Sequence, residues 1–216
     1  MKQRTTLALV AMLAFVMAGQ ATILRVNPDP LSIAQYHDPV TAMSEAFPGD
    51  TIYVEGNAGT GVSGILSVYP VMTISKPLHF VGPGYFLAEN NIYSDGMLIP
   101  EFSALLLTPA ASGTTFNGLK IHQLQINNAD CAAVHCFIGQ LVMNNCTSGF
   151  FRKNYFYSNI GVTPVSLSGC SGIAFNNNFI GSSTLSDDGE ITLDINLSPG
   201  VSFTNNTFAG GVCNTG

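Results

Sequence analysis

The 216-residue chain contains few charged residues and no tryptophan. Only 9% of its residues are charged, against about 25% in an average soluble domain. Seven basic residues stand against 13 acidic ones, and they form no basic run. We therefore expect no nucleic-acid partner, and anionic membrane surfaces are disfavoured, because binding to them depends on neutralising phosphates. Glycine (22) and asparagine (18) are abundant instead, which favours strands and turns over amphipathic helices.

Long apolar runs are also missing, with one short exception at the N-terminus. Lys2 and Arg4 precede an apolar run over residues 7–16, and a small-residue stretch ends in Gly-x-Ala at Ala21. This order predicts a signal peptide over residues 1–21; an uncleaved anchor is the alternative. A bilayer span needs about 20 apolar residues, so we expect no transmembrane segment in the mature part. The sequence therefore predicts a secreted or cell-surface protein whose mature chain, residues 22–216, has a net charge of −8.

Internal repeats dominate the second half of the chain. Six-residue segments of similar pattern begin at Phe151, Phe175 and Phe203, and the second step is longer than the first by four positions. The four-residue segments that precede them, at residues 143–146, 167–170 and 195–198, are separated by the same two steps. Short strands bounded by Gly, Pro or Asn precede them, over residues 51–54, 73–81, 104–107 and 116–121. Repeats of this length made of short strands predict an all-β, single-domain solenoid over residues 22–216, with roughly seven or eight coils.

One asparagine recurs at the same position of each repeat. Asn154, Asn178 and Asn206 follow the three phenylalanines by three residues. Stacked amides can bond to one another and satisfy turn carbonyls at a coil corner. We favour this structural role over ligand binding.

A single segment of the mature chain has a helical pattern. Asp38 suits the N-cap and Pro39 the first helical position, and Pro48-Gly49 ends the segment. Val40, Met43, Ala46 and Phe47 are expected to share its apolar face. Because an open solenoid end exposes strand edges, we expect this helix to cap the first coil.

The mature sequence resembles exported bacterial right-handed parallel β-helix proteins of the pectate lyase-like superfamily. The stretches at residues 23–27, 46–55, 74–78 and 80–87 are similar to the N-terminal part of such proteins, and the Phe-x-Asn-Asn segments to their generic coils. The resemblance implies a right-handed β-helix and carries no chemistry. The Gly-His-Gly and Arg-x-Lys elements of polygalacturonase-like members are missing.

Two groups of residues are candidates for ligand binding. Arg152, Tyr155 and Tyr157 place a cation beside two aromatic rings, a combination suited to sugar contacts. The four extra positions of the longer repeat step fall in an acidic stretch that includes Asp187, Asp188 and Glu190, followed by Asp194. Their oxygens suit calcium, the one cofactor that we consider; a solvated polar loop is the alternative.

Cysteines and histidines indicate no metal site. His135 and Cys136 lie near Cys131, but a second pair at finger spacing is missing. Cys146 and Cys170 are separated by the same step as Phe151 and Phe175, which predicts that they stack in adjacent coils. In an oxidising compartment the pair forms a disulfide or stays as buried thiols.

These features together predict a non-catalytic scaffold or binding surface that contacts extracellular polysaccharide or another cell-surface component. A polysaccharide lyase or glycoside hydrolase is the first alternative, and an N-terminal fragment of a larger adhesin-like protein is the second. We assign no catalytic residue, because no basic residue lies near a carboxylate cluster in the sequence. The Asp187-Asp188 pair could supply the two carboxylates of a hydrolase, but it stands without the Gly-His-Gly and Arg-x-Lys elements.

Overall fold

A computed structural model of the chain describes residues 21–56, 68–84, 99–158, 162–182, 193–209 and 213–215. The predicted signal peptide lies outside these ranges, except for Ala21. The described part contains one α-helix, α1 (Pro39–Glu45), and a short 3-10 helix at Pro109–Ala111. Its strands are β1 (Ile23–Val26), β2 (Thr51–Val54), β3 (Val68–Tyr69), β4 (Met72–Ile74), β5 (His79–Val81), β6 (Glu101–Leu107), β7 (Thr114–Asn117), β8 (Lys120–Asn127), β9 (Cys131–Val134), β10 (Phe137–Asn144), β11 (Gly149–Arg152), β12 (Tyr155–Ser158), β13 (Val165–Ser168), β14 (Ile173–Asn176), β15 (Phe179–Ser182), β16 (Leu193–Asn196), β17 (Ser202–Thr204), β18 (Thr207–Ala209) and β19 (Cys213–Thr215).

The strands form two parallel sheets, so the predicted all-β class is confirmed. The first sheet has eight strands in the order β1-β2-β5-β7-β9-β11-β14-β17. The second has eleven strands, and every recorded pairing in both sheets is parallel. The chain passes from β1 through α1 to β2 within the first sheet. From β2 onward, each circuit of the chain adds one strand to the first sheet before it returns to the second, and we call such a circuit a coil.

The second sheet divides into two faces because its longest strands change direction in the middle. The start of β10 pairs with β12, whereas its end pairs with β13. Ile138 and Leu141 are both buried, so successive inward positions are three residues apart instead of two. The extra residue carries the strand around a corner. Each coil therefore has three faces: face 1 is the first sheet, face 2 contains β12 and face 3 contains β13.

Inward side chains stack on their counterparts in the next coil and form the core. On face 1, Phe80 pairs in register with Phe116, and Phe151 with Phe175. The rings of Phe151 and Phe175 are stacked with centroids 5.1 Å apart. Because each layer buries its apolar side chains only against neighbouring layers, the core is a set of continuous ladders.

The predicted asparagine ladder lies at the corner between face 1 and face 2, and it is confirmed. The Oδ1 atom of Asn178 accepts a hydrogen bond from the backbone N–H of Asn154 (2.8 Å), and its Nδ2 donates to the carbonyl of Phe151 (2.9 Å). Asn206 bonds to Asn178 and Phe175 in the same way. Asn154 and Asn178 are 2% exposed, so these amides satisfy buried backbone groups.

The helix forms where the sequence predicts it, but its buried face differs in part. Asp38 caps α1 by accepting a hydrogen bond from the backbone N–H of Thr41. Ala42 and Ala46 are buried in the core, and Met43 packs against it. The prediction was wrong for Val40 and Phe47, which are 45% and 75% exposed.

The register predicted for Cys146 and Cys170 is confirmed by the residues around them. Met143 pairs with Leu167 and Phe151 with Phe175, and the two cysteines are separated by the same step as each of these pairs. Both cysteines are buried free thiols. Burial is the main cause that raises the pKa of Cys146 to about 11.

Candidate functional site

The two tyrosines of the predicted sugar site lie on the outer surface of face 2. Tyr155 and Tyr157 alternate along β12 with the buried Phe156, so both point away from the core. Arg152 is exposed and ends β11 on face 1, before the turn that leads to β12. The structure therefore brings the tyrosines together and places Arg152 in a different sheet.

A row of side chains runs across the coils through Tyr155. Phe137, Tyr155 and Phe179 occupy equivalent positions in successive strands. Tyr155 and Phe179 stack with centroids 4.7 Å apart and planes 6° from parallel, and Phe137 lies 5.5 Å from Tyr155. Because each ring covers the face of the next, the faces within this row are not available for stacking against a sugar.

The adjacent outward row has a gap instead of a continuous stack. Ile138 pairs with both Ile121 and Phe156, so Gly139 lies between His122 and Tyr157 in the row. Glycine permits a close approach of the strands here, because a Cβ atom at Gly139 would lie 2.5 Å from the backbone oxygen of His122. The Tyr157 ring packs against the neighbouring row, with its centroid 6.0 Å from that of Phe137 and 5.3 Å from that of Tyr155.

This gap is part of a groove of about 330 Å³. We call it the Gly139 slot. Phe137 and Gln140 line it beside Gly139, and Tyr157 contributes its phenol. The Tyr157 hydroxyl is free to bond to a ligand, since it has no hydrogen-bond partner among the described residues. The lining residues are Lys120, His122, Phe137, Gly139, Gln140, Tyr157 and Val162.

Glu101 orders the basic side chains at one end of the slot. Its Oε2 accepts a hydrogen bond from Lys120 Nζ at 2.9 Å, and its Oε1 bonds to His122 Nε2. Burial raises the pKa of Glu101, but the hydrogen bonds from Lys120 and His122 outweigh burial and hold that pKa below its ordinary value. Lys120 Nζ also lies 5.7 Å from the ring centroid of Phe137. The carboxylate is thus ionised and positions both neighbours.

The residues proposed for calcium are not assembled by the described part of the chain. Asp187, Asp188 and Glu190 lie outside the described residues. Asp194 is exposed on β16, where its Oδ2 accepts a 3.4 Å hydrogen bond from Ser166. Within the described ranges, no group of three or more His, Cys, Asp or Glu side chains is placed to hold a metal ion.

Most of the slot was missed in the sequence because the repeat length changes. Lys120, Phe137 and Tyr155 are equivalent in successive coils. The steps between them are clearly shorter than the step from Phe151 to Phe175, on which the recognised repeats were aligned. An alignment that allowed shorter coils would have placed Lys120-Ile121, Phe137-Ile138 and Tyr155-Phe156 in one column.

Comparison of the chain with protein-family models, curated proteins and solved structures found no match. In the part of the chain that the structure describes, no helix has both the length and the hydrophobicity needed to cross a membrane. The geometry of the slot is therefore the basis for the function that follows.

Proposed function

We propose that this chain is an exported right-handed parallel β-helix that binds extracellular polysaccharide in the Gly139 slot. The hand is supported by a general rule: crossover connections between parallel strands of one sheet are right-handed in about 98% of cases. Export is supported by the order of basic, apolar and small residues at the N-terminus. The protein would act at the cell surface or in the medium, as a binding module without catalysis.

The groove lined by His122, Gly139 and Tyr157 is the observation that carries this proposal. A sugar ring has apolar C–H faces and a polar rim, so it needs flat apolar walls with hydrogen-bonding groups at their edges. Tyr157 provides a ring whose hydroxyl has no hydrogen-bond partner among the described residues. Lys120, His122 and Gln140 add polar groups around the gap, and Gln140 also accepts a hydrogen bond from Gln123. The continuous aromatic row next to it stiffens this surface.

Binding of the purified protein to a panel of neutral and acidic polysaccharides tests the proposal. We expect at least one of them to bind, with an affinity that falls at least tenfold in Tyr157→Ala. That loss corresponds to about 1.4 kcal/mol and is in the range for an aromatic contact. Tyr53→Ala is the matched control, because Tyr53 points outward from β2 on face 1. Absence of binding to every polysaccharide, or an unchanged affinity in Tyr157→Ala, would overturn the proposal.

A further inference from the structure

The buried carboxylate of Asp50 contacts the residue at which the mature protein is expected to begin. Asp50 is 3% exposed, and its Oδ1 accepts a 2.7 Å hydrogen bond from the backbone nitrogen of Thr22. We propose that signal cleavage after Ala21 converts this nitrogen into an α-ammonium group, and that Asp50 is the site that binds the new N-terminus. This inference rests on the export in the proposed function and names the residue that receives the processed chain end.

The fold holds Thr22 in place beside this carboxylate. The carbonyl of Thr22 accepts a hydrogen bond from the N–H of Thr51 (2.8 Å), and β1 pairs with β2 from Ile23 onward. The other carboxylate oxygen, Oδ2 of Asp50, accepts a hydrogen bond from the N–H of Phe47 (2.7 Å). Asp50 therefore connects the start of β1 with the turn that follows α1, and the nitrogen of Thr22 stays within hydrogen-bond distance of it.

Asp50 has no cationic partner among the described residues. Its side chain bonds only to two neutral backbone N–H groups there, whereas buried charges are ordinarily paired with an opposite charge. An α-ammonium at Thr22 would supply the positive charge without any movement of the nitrogen. In the described part, none of the other titratable side chains on α1, β1, β2, β5 and the turn before β5 bonds to Asp50: Arg25, Asp38, Glu45, Tyr53, Glu55, Lys76 and His79.

Cleavage is a hydrolysis that requires a signal peptidase and water. The C–N bond between Ala21 and Thr22 breaks, water supplies the oxygen of the new Ala21 carboxylate, and both protons of the water go to the amine. At neutral pH the amine is largely protonated, because an ordinary α-amino group has a pKa of about 7.7–8.0. The ammonium then donates a charge-assisted hydrogen bond to Asp50, which is roughly twice as strong as a neutral one.

This pairing predicts a pH-dependent contribution to stability. Asp50 favours the protonated form of the α-amino group, so the pKa of that group should be higher in the folded chain than in the unfolded chain. The added stability is then complete below about pH 7 and is lost as the pH rises through the folded-state pKa.

A single inserted glycine provides the matched control. A glycine placed between Ala21 and Thr22 leaves the neutral N–H of Thr22 bonded to Asp50, but it moves the new ammonium one residue away. Asp50→Asn removes the negative charge of the acceptor in either chain. Asp38→Asn removes a carboxylate that caps α1 instead. Because the glycine chain keeps Asp50, the test survives a folding failure of Asp50→Asn.

The test starts with export of the full chain from a bacterial host and the mass of the mature product. We expect a chain that starts at Thr22. In urea titrations at pH 6.5, the equilibrium constant for folding should be at least fivefold lower in the glycine chain than in wild type. This difference should disappear at pH 10 and in the Asp50→Asn background, and it should persist in the Asp38→Asn background.

Each contrary result has its own meaning. A mature chain that starts at another residue, or equal folding constants in wild type and the glycine chain at pH 6.5, overturns the inference and leaves export and polysaccharide binding standing. A difference that persists in Asp50→Asn also overturns it, because another group would then bind the N-terminus. If the product keeps residues 1–21 and stays in the host cell, the export in the proposed function fails, and the inference fails with it.

Discussion

At the scale of single residues, the chain fixes its corners with asparagine. In the described ranges, non-glycine residues with positive φ stand at corner positions: Asn128, His135, Asn145, Lys153, Asn177, Leu197 and Asn205. Asparagine tolerates this left-handed conformation better than most residues. His135 therefore has a corner position in the structure. The buried amides that follow the corners at Asn154 and Asn178 then satisfy the backbone of the preceding coil.

Asn178→Ala should destabilise the protein strongly because it removes the three hydrogen bonds of a buried amide. The N–H of Asn154 and the carbonyl of Phe151 would lose their partners in the core. Each buried unsatisfied group costs about 1–3 kcal/mol, so we expect a loss of about 2–4 kcal/mol in the free energy of unfolding, measured with urea. Asn206→Ala is the control: Asn206 is partly exposed, and water should limit its loss to about 1 kcal/mol. Equal losses would show that burial of the amide is not what matters.

Tyr69→Phe should instead stabilise the protein. The Tyr69 side chain is buried, and its hydroxyl has no hydrogen-bond partner among the described residues. Removal of an unsatisfied buried hydroxyl should raise the free energy of unfolding by about 1 kcal/mol. Tyr53→Phe, at an outward position, should change it little. A stability loss in Tyr69→Phe would show that the hydroxyl has a partner in solution.

Wild type and Tyr69→Phe should also differ in how their stability changes at alkaline pH. Burial is the main cause that raises the pKa of Tyr69 above its usual value of 10.0. Its neutral form is therefore favoured in the folded state, so the associated stability is complete below pH 10 and is lost as the pH rises above it. Wild type should lose more stability than Tyr69→Phe between pH 9 and 11, in urea titrations at each pH. Parallel curves would contradict this.

At the scale of elements, local signals predicted the helix but not all of its packing. Asp38 and Pro39 specify where α1 begins, and both act through bonds within one turn. The inward face depends on where the helix ends, because α1 stops at Glu45 and Phe47 lies beyond it. The observed set of Pro39, Ala42, Met43 and Ala46 follows the spacing i, i+3, i+4 and i+7.

The strands could be predicted from the sequence where it repeats in a recognisable pattern. The Gly139 slot could not be predicted in this way. The aligned segments from Phe151 onward gave the correct register over three coils. In β8 and β10, by contrast, one corner residue interrupts the two-residue alternation, and the coils are shorter than the aligned repeats. Gly139 lies between His122 and Tyr157 only in the folded chain, so no local sequence pattern identifies it. Tyr155 and Tyr157 were identified from their residue type, as aromatic residues close to the cation Arg152 in the sequence.

At the scale of the whole molecule, the two ends of the stack differ. The helix α1 covers the first coil through Ala42 and Ala46, which belong to the core. The far end carries β17 and β18, whose side chains are mostly exposed, including Phe208 at 50%. Coils in the middle, such as those with β8 and β10, have a hydrogen-bonded strand on either side. Because each coil is stabilised only by its neighbours, stability should decrease toward the coil that carries β17 and β18.

Amide hydrogen exchange should show this decrease directly. An amide in β8 or β10 exchanges only when its strand separates from the strands on both sides. Residues 202–209 exchange once their coil separates from the single coil that it pairs with in the described structure. We expect exchange in β17 and β18 to be at least tenfold faster than in β8 and β10, with β11 and β14 between them. Tyr69→Phe, which changes the opposite end, should leave the rates of β17 and β18 unchanged if the end coil opens independently. Equal rates in all of these strands would mean that the stack opens as one cooperative unit, and the nearest-neighbour description of its stability would then be wrong.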